Sequence, residues 1–192
     1  MKFKIHSKER LFNRFFKVDE VDLSYERFDN KGEFRAVRFN LERPDAVALL
    51  LKNESNNSMV MVEQFRYATV HRDDNSGWAT EVIAGLIDPG ESPETCAVRE
   101  AFEETGYEVS DLQHLHTFYA TIGISDEKVH LYFATVSDEN KKGNGGGLDH
   151  ENEDIAIREI PIPELRSKLD SGEIFDGKSI MALQWYFLNH KD

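Results

Sequence analysis

At 192 residues with a net charge of −13, the chain is long enough for one domain with a sizeable core, or one domain with a small appendage, and too acidic to favour nucleic acid or an anionic membrane as a partner. The same charge opposes a phosphate ligand unless metal ions invert the local field or a few basic residues gather at one site. The single cysteine, Cys96, excludes an intrachain disulfide and a multi-cysteine zinc site and fits a reducing cytoplasm, and neither a signal-peptide h-region nor an apolar run approaching the roughly 18 residues of a membrane span is present in the sequence.

In chain order, residues 21–27 alternate in character, Asp29-Asn30-Lys31-Gly32 forms a turn, and 33–41 alternates again, which reads as an N-terminal hairpin. Residues 46–51 and 58–65 are apolar strands separated by a polar turn. Residues 67–78 are irregular, and 80–84 is a short strand ending at Gly85. A helix over 94–105 follows, with Ser92 as N-cap, Pro93 in the first turn and Gly106 as a left-handed stop. Strands are expected over 112–121 and 128–136, then a mobile glycine-rich loop over 138–150, a strand over 155–160, a short helix over 163–169 stopped by Gly172, and a strongly apolar helix over 179–189. Trp185, Tyr186 and Phe187 on that helix read as core, and His114 and His116 as a structural pair on a strand. The layout is α/β, with helices packed on a sheet.

The chemistry concentrates between Gly85 and Tyr107. Glu100, Glu103 and Glu104 stand at i, i+3 and i+4, so three carboxylates project from one helix face. Like charges at that spacing destabilise a helix, and a hard divalent cation with oxygen ligands and retained waters is the natural compensation. The alternative is a solvated acidic face, the commoner meaning of a Glu-Glu pair. Glu91 and Arg99 are placed to pair and hold the preceding loop, Gly85 to Gly90, on the helix.

The whole string, Gly85-x5-Glu91-x7-Arg99-Glu100-Ala-x-Glu103-Glu104-x-Gly106-Tyr107, satisfies the Nudix box at every fixed position, with its aliphatic positions filled loosely by Ala101 and Tyr107. The chain therefore resembles the Nudix hydrolases. Gln64-Phe65-Arg66, Gly145-Gly146-Gly147, Glu151-Asn-Glu153 and the segment from Gly172 to Lys178 extend the likeness to the subfamily of ADP-ribose and GDP-mannose pyrophosphatases. What the resemblance implies is an α/β/α sandwich with a mixed sheet over 45–192, preceded by an N-terminal strand region over 1–44 that exchanges between the subunits of a homodimer. It implies magnesium, or manganese, held by Glu100, Glu104, the Ala84 carbonyl and Glu153. Glu103 is a nearby catalytic carboxylate. Glu151 is assigned as general base, although the roles of Glu151 and Glu153 are exchangeable on sequence. Arg38, Arg66, Gly85, Leu86, Glu127, Asn152 and Lys178 are the implied substrate contacts. Thr121-Ile-Gly-Ile departs from the family's loop pattern before Glu127, and Val37 and Phe39 depart from the charged pattern around Arg38, which leaves the nucleobase open.

The implied reaction is hydrolysis of a nucleoside diphosphate sugar such as GDP-mannose to a nucleoside monophosphate and a sugar 1-phosphate. The alternative substrate is ADP-ribose, giving AMP and ribose 5-phosphate. The alternative of another class is a catalytically silent domain that senses a nucleotide. A chain that keeps every box carboxylate and carries no nucleic-acid-binding segment argues for the enzyme.

Overall fold

A computed structural model describes residues 2–29, 31–70 and 76–190. Asn30 of the expected turn and 71–75 of the expected irregular stretch lie outside the described residues. The described chain forms strands β1 (Phe3–Asn13), β2 (Lys17–Glu26), β3 (Glu33–Glu42), β4 (Ala46–Asn53), β5 (Ser58–Phe65), β6 (Trp78–Glu81), β7 (Ile83–Leu86), β8 (Gln113–Tyr119), β9 (Lys128–Val136) and β10 (Ala156–Pro161). The helices are α1 (Pro93–Thr105), α2 (Ile162–Ser171) and α3 (Gly177–Asn189). These elements fall into two compact units, one of Met1–Asp45 with Phe118–Val129 and one of Ala46–Thr117 with His130–Asp192.

In the first unit the expected hairpin of β2 and β3 is present and pairs in continuous register from Lys17↔Glu42 to Glu26↔Glu33. The hairpin is extended by β1 into an antiparallel three-stranded sheet, order β1-β2-β3. This strand escapes a period-two reading because register shifts at Ile5/Ser7 and Arg10/Phe12 break the alternation twice. Buried Asp19 on β2 ties the sheet together. It accepts from Arg10 and Lys8 on β1, and Arg10 Nη2 also reaches Glu42 Oε2 on β3 at 2.6 Å.

The second unit is built on a seven-stranded sheet with path β10-β5-β4-β9-β8, where β6 adds to β5 and β7 to β4. Both faces of β4 are buried. Val47, Leu49 and Leu51 pack in one cluster with Cys96, Ala97 and Ala101 of α1. Ala48 and Leu50, which point the other way, are equally buried, and α3 also packs on β4. Helix layers on both faces of a mixed sheet make the expected sandwich.

The strand expected over 80–84 is divided into β6 and β7. The break falls at Val82, whose N–H donates to the Ser179 hydroxyl at 2.8 Å instead of to a neighbouring strand. The first turn of α3 is thereby fastened to the chain just ahead of Gly85. Among the described residues, no helix is long and apolar enough to cross a membrane.

Candidate active site

Helix α1 starts where its caps dictate. The Ser92 side chain accepts from Thr95 N–H, Pro93 occupies the first turn, and Gly106 closes the helix at φ 75°. The buried stripe of Cys96, Ala97 and Ala101 faces β4, which fixes the rotation of the helix. That rotation carries Glu100 and Glu104 inward, to 4 % and 1 % exposure. They are not a solvated acidic face.

Burial disfavours a carboxylate's charged form. Glu104 is held well above its ordinary pKa by burial and then by the charges of Glu100 and Glu153. Ala84 N–H, which donates to Glu104 Oε2 at 3.2 Å, and the charge of Arg66 offset this only in part. Glu100 is pushed up to about 7 by burial, against the pull of Arg99 and with the charges of Glu103 and Glu153 adding to the rise. Gly85 lies directly over the Glu100 carboxylate, where any side chain would collide with it. Glycine at this position lets the loop backbone approach the acids.

Arg99 locks the loop. Its Nε and Nη2 reach the two oxygens of Glu91 at 3.0 Å each, and Nη2 also reaches Leu86 O at 3.2 Å. Its Nη1 contacts Glu100 at 2.7 Å and Glu103 at 2.8 Å. The guanidinium holds Glu91 down at about 2. Glu103 stays closer to the surface than its two neighbours.

The glycine-rich loop, expected to be mobile, is anchored. Gly146 and Gly147 N–H groups donate to the carbonyls of Glu104 and Glu103, and Lys142 and Gly143 donate to Gly106 O. The last carbonyls of α1 are satisfied in this way. The docking draws Glu153 toward the helix acids, so that its charge registers on both Glu100 and Glu104. Leu148 N–H steadies Glu153 Oε2 at 3.2 Å. Glu151 is not drawn in to the same degree. It ends a single exposed turn, with His150 3.7 Å from its carboxylate, and Asn152 follows in a left-handed conformation at φ 61°.

Arg66 and Lys178 come together at a pair of acids, Glu81 and Asp176, to which no motif in the sequence assigns a role. Arg66 Nε and Nη2 reach Glu81 at 2.7 and 3.0 Å. Lys178 Nζ bridges Glu81 at 3.3 Å and Asp176 at 2.7 Å. Asp176 caps α3, accepting from the Ser179 N–H and hydroxyl. A signal for Glu81 exists in the sequence, since a lone carboxylate in the apolar stretch Ala79 to Ala84 requires a partner. Arg38 and Glu127 belong to the first unit. Arg38 is exposed and donates to Val37 O, and Glu127 lies 3.5 Å from Arg43.

Hard oxygen donors, the deep burial of Glu100 and Glu104, and the charge of half-buried Glu153 acting on both suit a hard divalent cation, which needs only one or two carboxylates and keeps its remaining positions for water and phosphate. Among the described residues no three acidic, histidine or cysteine side chains converge into a preformed cage.

Comparison with known proteins gives a consistent result. The NUDIX domain family matches residues 42–183. A GDP-mannose pyrophosphatase of Shigella flexneri serotype 5b (strain 8401) is 36% identical over 180 residues, covering 94% of this chain and 92% of that protein. A GDP-mannose pyrophosphatase of Escherichia coli O1:K1 / APEC is 35% identical over the same coverage. A crystal structure of an ADP compounds hydrolase superposes with a TM-score of 0.75 at 23% identity, over 97% of this chain and 95% of that one.

Proposed function

The chain belongs to the Nudix family, and on that premise we propose that it is a pyrophosphatase that hydrolyses the diphosphate bond of a nucleoside diphosphate sugar to a nucleoside monophosphate and a sugar 1-phosphate. The observation that carries this reading is the burial of Glu100 and Glu104 beside the glycine loop, two carboxylates that their protein partners, Arg99 on Glu100 and the Ala84 N–H on Glu104, compensate only in part.

Glu100, Glu104, the Ala84 carbonyl and Glu153 are the proposed holders of Mg²⁺, with Mn²⁺ as the alternative. When bound, such a cation neutralises diphosphate charge and makes a water easier to deprotonate. Glu151 is the proposed general base, supported by its exposure on the loop that carries Glu153, from which it can take a proton from water entering the site. Glu103 supports the site through Arg99, which also keeps the Gly85 and Leu86 backbone in place to meet the substrate. Arg66 and Lys178 are proposed to contact the diphosphate, Asn152 to face it from the glycine-rich loop, and Arg38 and Glu127 to meet the nucleoside or sugar.

GDP-mannose is the first choice of substrate, supported by the relatives that match nearly the whole chain and by Lys178 at the start of α3. ADP-ribose is the second, favoured by Glu151-Asn-Glu153 and Ala182-Leu-Gln-Trp185. A homodimer built through the N-terminal sheet is also proposed, because β1 is exposed over its whole length and presents Phe3, Ile5, Leu11 and Phe12 to its surroundings. A cytoplasmic setting accords with the one buried, unpaired cysteine.

A panel of nucleoside diphosphate sugars and ADP-ribose, read by phosphate release with a coupled phosphatase and Mg²⁺ present, tests this function. Turnover of at least one nucleotide sugar is the expected result. No phosphate from any member would favour the silent sensor.

A further inference from the structure

Glu81 takes no part in the box and is not among the acids assigned to metal or proton transfer. Yet its side chain, 4 % exposed, is among the most deeply buried carboxylates of the second unit. A charge at that depth costs several kcal/mol unless it is fully paired. Among the described residues both of its oxygens are paired, and with cations only: Oε1 with Arg66 Nε, and Oε2 with Arg66 Nη2 and Lys178 Nζ.

The cations come from different places in the chain, Arg66 from the residue after β5 and Lys178 from the first turn of α3. Two like charges converge only because the carboxylate lies beneath both. Exposure rises from Glu81 to Lys178, at 23 %, to Arg66, at 42 %, so the anion is the floor and the cations face outward. The bidentate contact engages the Nε–Nη2 edge of the guanidinium. Glu81 does not engage the Nη1–Nη2 edge, whose donors have the rigid fork geometry that suits a phosphate. Arg66 also lies near enough to the helix acids for its charge to act on Glu104. With Asp176 included, two cations and two anions cancel. The cluster therefore offers a ligand fixed donors, not an excess of positive charge.

We infer that Glu81 is a positioning residue, which holds Arg66 and Lys178 as one oriented pair against the diphosphate of the substrate. This rests on the proposed role of Arg66 and Lys178 as phosphate contacts. A role limited to neutralising charge makes the opposite prediction. Removing the negative charge would leave the pair more attractive to an anion and would lower KM. Loss of a positioning group disorders the donors and raises KM.

Steady-state kinetics of Glu81→Gln, Arg66→Ala and the double variant, with GDP-mannose and Mg²⁺, separate these. The expected result is a KM raised about tenfold or more in Glu81→Gln, with kcat changed far less. Because Glu81 acts in part through Arg66, the two effects should be less than additive, the double variant exceeding Arg66→Ala only by the share that Glu81 carries through Lys178. Glu81→Asp keeps the charge but withdraws it by one methylene, and an intermediate KM is expected. This variant carries the test if Glu81→Gln does not fold, and a wild-type KM in Glu81→Asp would then overturn the inference. A KM in Glu81→Gln equal to or below wild type, or fully additive effects in the double variant, would overturn it while a raised KM in Arg66→Ala left the phosphate role of Arg66 standing. An unchanged KM in Arg66→Ala would remove that role, and the inference with it.

Discussion

Arg99 shows how one residue converts a loop and a helix into a single rigid part. Its guanidinium spans Glu91, the Leu86 carbonyl, Glu100 and Glu103, so the glycine loop cannot shift without breaking charge-assisted bonds. Glu91, held at about 2 by that contact, is a group with a depressed pKa. Its stabilising contribution is complete above its ordinary value near 4.5 and is lost as pH falls toward 2. Glu91→Gln should thus melt several degrees below wild type at pH 7, for a loss of about 1–3 kcal/mol. The two melting curves should converge as pH is lowered from 4.5 to 3, and a gap that stayed constant over that range would mean the ion pair is not its cause. The pairing of Glu91 with Arg99 is legible from spacing alone, because the helix period and the loop length leave few other partners. Glu81 is not legible in the same way. Its partners, Arg66 and Lys178, lie 15 and 97 positions away, and only the packing of β6 beside β5 and α3 brings the three together.

At the level of elements, the two ends of α1 do different work. Its N-terminal turn is set by local chemistry, Ser92 and Pro93, and is readable residue by residue. Its C-terminal turn is completed by the glycine-rich loop, whose N–H groups cap the helix from 40 residues away in sequence, as Gly147 does to Glu103 and Gly146 to Glu104 within a few positions of that spacing. A run of glycines reads as mobility when taken alone. Here Gly145, Gly146 and Gly147 all have positive φ, so the glycines serve a fixed path that other residues follow with strain. Gly147 also lies against Glu153, where an added Cβ would come within 2.6 Å of the glutamate's own Cβ. Gly147→Ala is expected to displace Glu153 and lower kcat on the order of 10- to 100-fold. Unchanged turnover in the folded variant would show that the placement of Glu153 is not needed. Strands β1, β6 and β7 mark the limit of pattern reading. Two bulges hide the first, and a side-chain bond to Val82 N–H divides the other two.

The whole molecule combines a unit that carries the helix acids with a three-stranded unit whose first strand is left uncovered. A second copy of the chain is the expected cover, and the mass in solution measured by light scattering should be near twice the 22.1 kDa of one chain. A monomer mass across the micromolar range would refute this. The segment 118–129, which the sequence assigns to the main domain, joins the N-terminal sheet through contacts such as Leu41 N–H to Ile124 O, a pairing between distant stretches that local pattern does not reveal. The reaction class, in contrast, follows from a short stretch whose burial the fold supplies. The central claim is that the buried acids of α1 hold a divalent cation for diphosphate hydrolysis. The most direct measurement is turnover of GDP-mannose and ADP-ribose by Glu104→Gln beside wild type with saturating Mg²⁺. The account predicts a kcat lower by more than about 100-fold on whichever substrate the wild type accepts. Near wild-type turnover by the folded variant would contradict it.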